Sequence, residues 1–242
     1  VNSFLLEIGL EEVPASMIQP SIEQLKELVA KTLKQENLSG QIEIFGTPRR
    51  FGLLVRNLPA SQANRIEEIK GPPVEMAKDE KGHWKQAAIG FAKKNGIDPE
   101  KLEVRDFSGK EYLYAIKHLE GKTTNEILET SIVEWIHALR FPKNMRWGSY
   151  RQRFVRPIRW LTCLWNSEVV PVELEMLRSG NQSFGHRFLS KDSFTIDQAD
   201  EYENKLRDQW VIASPSKRRA RIEEQIQELE RKYIWRVEID PA

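Results

Sequence analysis

The 242-residue sequence is 40% hydrophobic and 30% charged, with a formal net charge of +1, which supplies a core under a charged surface and suits one large domain or two small ones. So balanced a charge excludes capture of a polyanion by a global field and leaves local patches as the electrostatic route. A single cysteine, Cys163, excludes an internal disulfide and a multi-cysteine metal site; no apolar run reaches the length of a membrane helix, and the first residues turn acidic too soon for a signal peptide. Cys163 sits in an apolar run and reads as a small buried hydrophobe, not a nucleophile. One cysteine also fits a reducing, cytoplasmic setting, and no membrane partner is expected.

Residues 4–9 are an apolar run that predicts a buried strand, broken by Glu11, Glu12 and Pro14. Over residues 17–35, Ile18, Ile22, Leu25, Leu28, Val29 and Leu33 recur at helical spacing. Pro20 lies near the start, where a missing N–H does little harm. Residues 41–45 and 51–57 alternate as strands, and residues 46–50 (GTPRR) join them as a hairpin loop. Residues 1–60 thus make a β-α-β-β unit, which predicts an α+β fold of small, mainly antiparallel sheets with helices packed on one face. Residues 61–242 are expected to form the remainder of the body, beginning with a polar, Pro- and Gly-rich excursion over residues 58–81.

Residues 84–94 predict a short helix ended by Asn95-Gly96. Residues 102–107 and 111–119 predict a second hairpin, turning at Ser108-Gly109. Residues 123–139 are the clearest helix: Ile127, Leu128, Ile132, Trp135, Ile136 and Leu139 form its stripe, Thr123 or Thr124 caps it and Pro142 stops it. Residues 158–165 and 169–177 predict paired strands about an Asn166-Ser167 turn. A helix is expected over residues 197–208, a short strand over 210–213, and a last helix to Tyr233 with Ile222, Ile226, Leu229 and Tyr233 inward. That helix carries Lys217, Arg218, Arg219 and Arg221 in its first turn, against the helix dipole, so they serve a ligand or solubility. A strand is expected over residues 235–239, and the abrupt stop after it reads as a fragment of a longer protein.

The chain is organised around residues 140–165, RFPKNMRWGSYRQRFVRPIRWLTCLW. Arg140, Lys143, Arg146, Arg151, Arg153, Arg156 and Arg159 follow one another without an intervening acid, interleaved with Phe141, Trp147, Tyr150 and Phe154. An apolar run from Ile158 to Trp165 then predicts a buried anchor. One-signed charge, aromatic faces and a preference for Arg, which forks onto phosphate and stacks on planes, are what RNA recognition uses. The plainer reading is a solvated loop whose aromatics cover the core. A second basic site is Thr47-Pro48-Arg49-Arg50. Strand neighbours point to opposite faces, so at most one of Arg49 and Arg50 serves the sheet and the other faces outward. Glu7, inside a strand, needs a partner that one of these arginines supplies.

No GxGxxG, P-loop, HExxH or GxSxG is present. His83, His118, His137 and His186 lack metal-ligand spacing, and His137 reads as structural. His186 lies in residues 184–188 (FGHRF), where Gly185 lets backbone approach and Arg187 brings charge; it reads as an RNA contact or as a turn histidine. Glu11 and Glu12 read as a solvated turn.

Seven ordered pieces carry a resemblance: FLLEIGLEEVPA (4–15), GTPRRFGLLV (46–55), IKGPP (69–73), AAIGFAKKNG (87–96), FPKNMRWG (141–148), FVRPIRWL (154–161) and SFGHRFL (183–189). Together they resemble the β-subunit family of bacterial heterotetrameric glycyl-tRNA synthetases, at its N-terminal part. Leu10 and Val13 depart mildly from a pattern of Thr and Leu. The resemblance implies a longer protein with HD-like and anticodon-binding domains absent here. It also implies a body similar to the RNA-binding body of archaeal CCA-adding enzymes, and an α2β2 assembly in which ATP, Mg and glycine are handled on the α subunit. This chain is then expected to be non-catalytic, with no cofactor of its own, and to meet tRNA(Gly) and the α subunit. The family implies no residue-level contacts, so the RNA-binding candidates rest on charge and aromaticity: Arg49, Arg50, Arg146, Trp147, Tyr150, Arg151, Arg153, Arg156, Arg159, His186 and Arg187. The alternative is a scaffold for the α subunit or later β-subunit domains, without RNA contact. An independent enzyme built on His186 lacks a legible nucleophile–base constellation.

Overall fold

The computed structural model describes residues 2–79, 82–149, 151–175 and 177–238. The chain separates into two compact units, one of Val1–Ala60 with Thr123–Ala242, the other of Ser61–Lys122.

The first unit begins with β1 (Ser3–Leu10), α1 (Ala15–Gln35), β2 (Gln41–Thr47) and β3 (Arg50–Arg56), the expected β-α-β-β order. All eight residues of β1 are buried. Phe4, Leu6, Ile8 and Leu10 pack in one cluster with Ile22, Leu25 and Val29 of α1, while Leu5 belongs to a second cluster on the opposite face. A strand covered on both faces has no polar side, so it reads as a continuous apolar run.

The second unit contains β4 (Arg65–Pro73), α2 (Val74–Ala77), α3 (Gln86–Asn95), β5 (Glu103–Phe107) and β6 (Lys110–Leu119). Its strands pair antiparallel in the order β4-β6-β5 over a small core that includes Ala88, Ala92, Leu113 and Ala115. Gly96 closes α3 in the left-handed conformation. Ser108 and Gly109 both take positive φ (+58° and +78°) in the β5–β6 turn, as a two-residue hairpin with right-handed strand twist requires. β4 lies within the stretch expected to be an irregular excursion. Five of its nine residues are exposed, so no hydrophobic alternation marks it and backbone pairing to β6 holds it.

The chain then returns to the first unit through α4 (Thr124–Ala138), β7 (Ile158–Trp165), β8 (Glu168–Val169), β9 (Glu173–Leu174), β10 (Leu177–Arg178), β11 (Gln182–Phe184), β12 (Ser193–Thr195), α5 (Tyr202–Asp208) and α6 (Pro215–Tyr233). β7 pairs with β1 from Phe4↔Trp165 to Leu10↔Ile158, completing an antiparallel sheet of order β2-β3-β1-β7-β8. This pairing is why residues 123–242 group with 1–60, a different division from 1–60 against 61–242. α4 opens on a capping box: Thr123 Oγ1 accepts from the Glu126 N–H at 3.3 Å, and Glu126 Oε2 accepts from the Thr123 N–H at 2.9 Å. α1 and α4 cover one face, tied by Trp135 Nε1–H donating to Thr32 Oγ1 at 2.9 Å. Ile196, Ala199, Tyr202 and Leu206 close the other face over Leu5, Phe45, Leu54 and Leu164.

Three expected strands are corrected. Residues 169–177 are not one strand: only Glu168–Val169 pairs with β7, and Glu173–Leu174 pairs with Leu177–Arg178. Pro171 intervenes and has no N–H for a ladder. Residues 210–213 form no strand, because the chain leaves α5 through a left-handed Trp210. Residues 235–238 are likewise irregular, and Ile239 lies outside the described residues. α6 has no buried residue; Ile222, Leu229 and Tyr233, expected inward, are 52%, 45% and 46% exposed. Among the described residues, no helix is long and apolar enough to cross a membrane.

Candidate nucleic-acid interface

Glu7 stands mid-strand, opposite Gly52 and Thr162, and is fully buried. A carboxylate there needs partners. Trp160 Nε1–H and Ser183 Oγ–H donate to its Oε1, the latter at 2.7 Å, and Arg50 Nη1 lies 3.7 Å from Oε2. Arg50 Nη2 also donates to the Phe184 carbonyl at 2.6 Å. The Trp160 ring lies across Gly9, where any Cβ would come within 1.9 Å of it. Burial pushes the nearby Tyr202 hydroxyl well above its usual pKa, and Glu7 adds to the effect.

Arg50 is therefore a correction among the candidate RNA contacts. It is 1% exposed and its charge answers Glu7, so a surface polyanion does not reach it. Arg49 occupies the turn instead, half-buried, with its guanidinium 5.8 Å from the Trp160 ring centroid. Burial lowers its pKa, and the neighbouring charges of Arg50 and Arg187 lower it further.

One end of the five-stranded sheet collects these groups. Leu10 N–H donates to the Arg49 carbonyl at 2.8 Å, Val13 N–H to the Pro48 carbonyl at 2.7 Å and Glu11 N–H to the Pro157 carbonyl at 3.1 Å. There Arg159, carried on β7, pairs with Glu11 at 3.4 Å, and Arg187 with Glu12 at 2.7 Å. Arg156 Nε donates to the Glu12 carbonyl at 3.0 Å. Both ion pairs are exposed, so each is weak and open to exchange for phosphate.

The basic loop leaves α4 and closes through Met145 and Phe154, whose backbones exchange hydrogen bonds of 2.8 and 3.2 Å. Phe141 packs on Phe154 and Phe51 with ring centroids 4.7 and 6.4 Å apart. Phe154 is buried, while Phe141 and Trp147 are half-buried against the main core. The aromatics thus pin the loop, and the stacking face expected of Trp147 is partly occupied by packing. Tyr150, the other expected stacking residue, lies outside the described residues. Glu175 Oε1 accepts from the backbone N–H groups of Arg151 and Gln152 at 3.0 and 2.8 Å. The side chains of Arg146, Arg151 and Arg153 are exposed and have no hydrogen bond or ion pair among the described residues.

His186 shapes a turn: its Nδ1 accepts from the N–H groups of Phe188 and Leu189 at 3.2 and 3.3 Å. The ring is exposed, so the turn role leaves its other edge open to a ligand. Gly185 is required by close approach, since a Cβ there would meet Ser190 Oγ at 2.5 Å and Gln209 Cβ at 2.7 Å. Beside this turn a cavity of about 430 Å³ gathers Arg49, His186, Arg187, Phe188, Trp210 and Arg218. Phe188, Trp210 and Arg218 were not among the sequence candidates. The legible signal was a tryptophan just after a helix, at a position that usually calls for glycine.

Among the described residues, no cluster of three or more His, Cys, Asp or Glu side chains is placed to hold a metal ion. Cys163 is buried, and burial pushes its thiol far above the usual range, which removes it as a nucleophile.

The fold and the site define an α+β body with a cationic sheet end and an arginine loop pinned by aromatic packing. The family described as glycyl-tRNA synthetase beta subunit matches residues 4–242, and the chain belongs to that family. It is similar to the glycine–tRNA ligase beta subunit of Shouchella clausii, 42% identical over 99% of this chain and 34% of that protein. It is equally similar to the one from Listeria monocytogenes, 42% identical over 99% of this chain and 35% of that protein. The Limosilactobacillus reuteri subunit is 41% identical over 99% of this chain and 34% of its own length. The chain thus spans about a third of the length of the relatives it matches.

Proposed function

We propose that this chain is a tRNA-holding and assembly portion of a glycine–tRNA ligase. In this reading it grips tRNA(Gly) in the cytoplasm while ATP- and Mg-dependent glycylation proceeds on the α subunit of an α2β2 enzyme. The supporting observation is the set of exposed guanidiniums of Arg146, Arg151 and Arg153, with no hydrogen bond or ion pair among the described residues, on a loop that buried Phe154 and half-buried Phe141 and Trp147 pin to the core. Arg156, Arg159 and Arg187 extend the surface, held by a carbonyl and by exposed carboxylates that a phosphate can displace. The relatives' names support tRNA glycylation as the reaction served.

The test is tRNA binding by this chain across a salt series. Neutralising about four phosphates gives a slope of log affinity on log salt of roughly −3 to −4. Changing Arg146, Arg151 and Arg153 together to Ala reduces its magnitude by about 2–3. A flat salt dependence, or a triple variant that binds as before, overturns the reading.

A second reading draws on the exposed apolar stripe of α6: an assembly surface for the α subunit or later β-subunit domains, with no RNA contact. Salt-insensitive co-purification with the α subunit, without tRNA binding, supports it. Failure to associate at micromolar concentration counts against it.

A further inference from the structure

We infer that the cavity beside the β2–β3 turn is a nucleotide site, taking a base on the exposed aromatics Trp210 and Phe188 and its phosphate on Arg49 and Arg218. This deepens the RNA reading above by assigning it a defined pocket, built from residues outside the arginine loop.

The volume, about 430 Å³, lies within the range of about 300–1,000 Å³ typical of small-molecule sites. Its charge is unbalanced. Arg49, Arg50, Arg187 and Arg218 line it, while Glu12 answers Arg187 and the buried Glu7 answers Arg50. Arg49 and Arg218 are left over, without an ion pair to either carboxylate, matching in number the two charges of a phosphate monoester. Arg218 is held in place by donating to the Ile212 carbonyl at 2.7 Å. Arg50, 1% exposed, also lines the cavity, but its Nη1 faces Glu7 Oε2 at 3.7 Å and its Nη2 donates to the Phe184 carbonyl, so it stays with the protein and is not counted toward the ligand.

The aromatic half is equally specific. Trp210 is 67% exposed and Phe188 82% exposed, and both line the same cavity. Trp210 holds φ at +64°, an outlier for a bulky side chain. Its N–H donates to the Arg207 carbonyl at 3.0 Å, and the Val211 N–H to the Leu206 carbonyl at 2.9 Å, the hydrogen-bond pattern of a helix end that normally recruits glycine. Glycine would relieve the backbone and lose the ring, so the chain holds an indole at a position that opposes it. Stacking on such a face suits any base. The source is a free nucleoside phosphate or an unpaired nucleotide of an RNA strand.

The experiment is titration of this chain with AMP, adenosine, inorganic phosphate and the trinucleotide ApApA, by calorimetry. AMP is expected to bind, with adenosine and phosphate each at least about tenfold weaker, because each lacks one half of the recognition. Trp210→Gly is expected to keep or raise the thermal midpoint and to weaken AMP at least about tenfold, whereas Trp210→Phe retains most of the affinity. Arg49→Ala and Arg218→Ala weaken AMP similarly, while the triple alanine variant of Arg146, Arg151 and Arg153 leaves it within roughly twofold, the sites being independent. ApApA competing with AMP assigns the site to an RNA strand; AMP binding without ApApA assigns it to a free nucleotide. No binding of either ligand at millimolar concentration overturns the inference, as does phosphate equalling AMP or Trp210→Gly binding like the unmodified chain. The loop reading, resting on the tRNA salt series, survives any of those three results.

Discussion

Changing Glu7 to Gln isolates the charge that draws Arg50 out of the binding surface. Gln keeps the volume and an oxygen for Trp160 and Ser183, so only the negative charge disappears. Arg50 then remains 1% exposed, with the Phe184 carbonyl as its acceptor and no counter-charge on Glu7. Removing one partner of a buried ion pair costs about 3–5 kcal/mol. At 3.7 Å the Glu7–Arg50 contact is a charge contact and not a hydrogen bond, so the lower end, about 3 kcal/mol, is expected. For a chain of this length that corresponds to a fall of about 6–12 °C in midpoint. Glu7→Ala also strands the Trp160 and Ser183 donors at about 1–3 kcal/mol each, giving a total of roughly 5–9 kcal/mol, comparable with the whole stability of many domains. Combining Glu7→Gln with Arg50→Met removes both charges and should recover most of the loss. Urea unfolding followed by tryptophan fluorescence measures all three variants. A cost below about 1 kcal/mol for Glu7→Gln, or a double variant no better than the single, refutes charge compensation as the reason Arg50 turns inward.

Thr123→Ala removes one half of the capping box of α4 and should cost about 0.5–2 kcal/mol in the same assay, with Thr123→Ser close to neutral. Cys163 should stay unreactive toward a disulfide reagent in the folded chain and release one equivalent only in denaturant; prompt native reaction would contradict its burial. Burial alone would raise Glu43, but hydrogen bonds from Arg56 and Lys217 outweigh it and leave its pKa below the ordinary 4.5. The resulting stabilisation is present above that value and is lost as pH falls through the lowered one, so stability should decline as pH falls below the ordinary 4.5. Glu43→Gln should flatten that decline, and an unchanged acid limb would show that other carboxylates dominate it.

The sheet and its helices were legible because each has a period that one or two buried faces impose. The stripe of α4, the run of β1 and the alternation of β2 and β3 all answer to the main core. β4 was not legible, since an exposed strand held by its neighbour's backbone leaves no hydrophobic pattern. The inward face assigned to α6 failed for the converse reason: a 3.6-residue stripe declares an apolar face but not that anything covers it. The site behaved alike. Residue type and the acid-free spacing marked the arginine loop, and the opposite orientation of neighbouring residues required Arg49 and Arg50 to part.

Which of those two arginines turned inward was decided by Glu7, whose burial between β3 and β7 demanded a counter-charge at the position opposite Gly9. The pocket was decided the same way, because Arg49, Phe188, Trp210 and Arg218 lie on three segments that only folding brings together. By itself the sequence determined the α+β class, the paired strands around the first helix and the location of the positive charge, because these depend on local periodicity and composition. Tertiary structure alone decided which charges are neutralised, which aromatics pack and which face a ligand, because burial and ion pairing act between residues far apart in the chain.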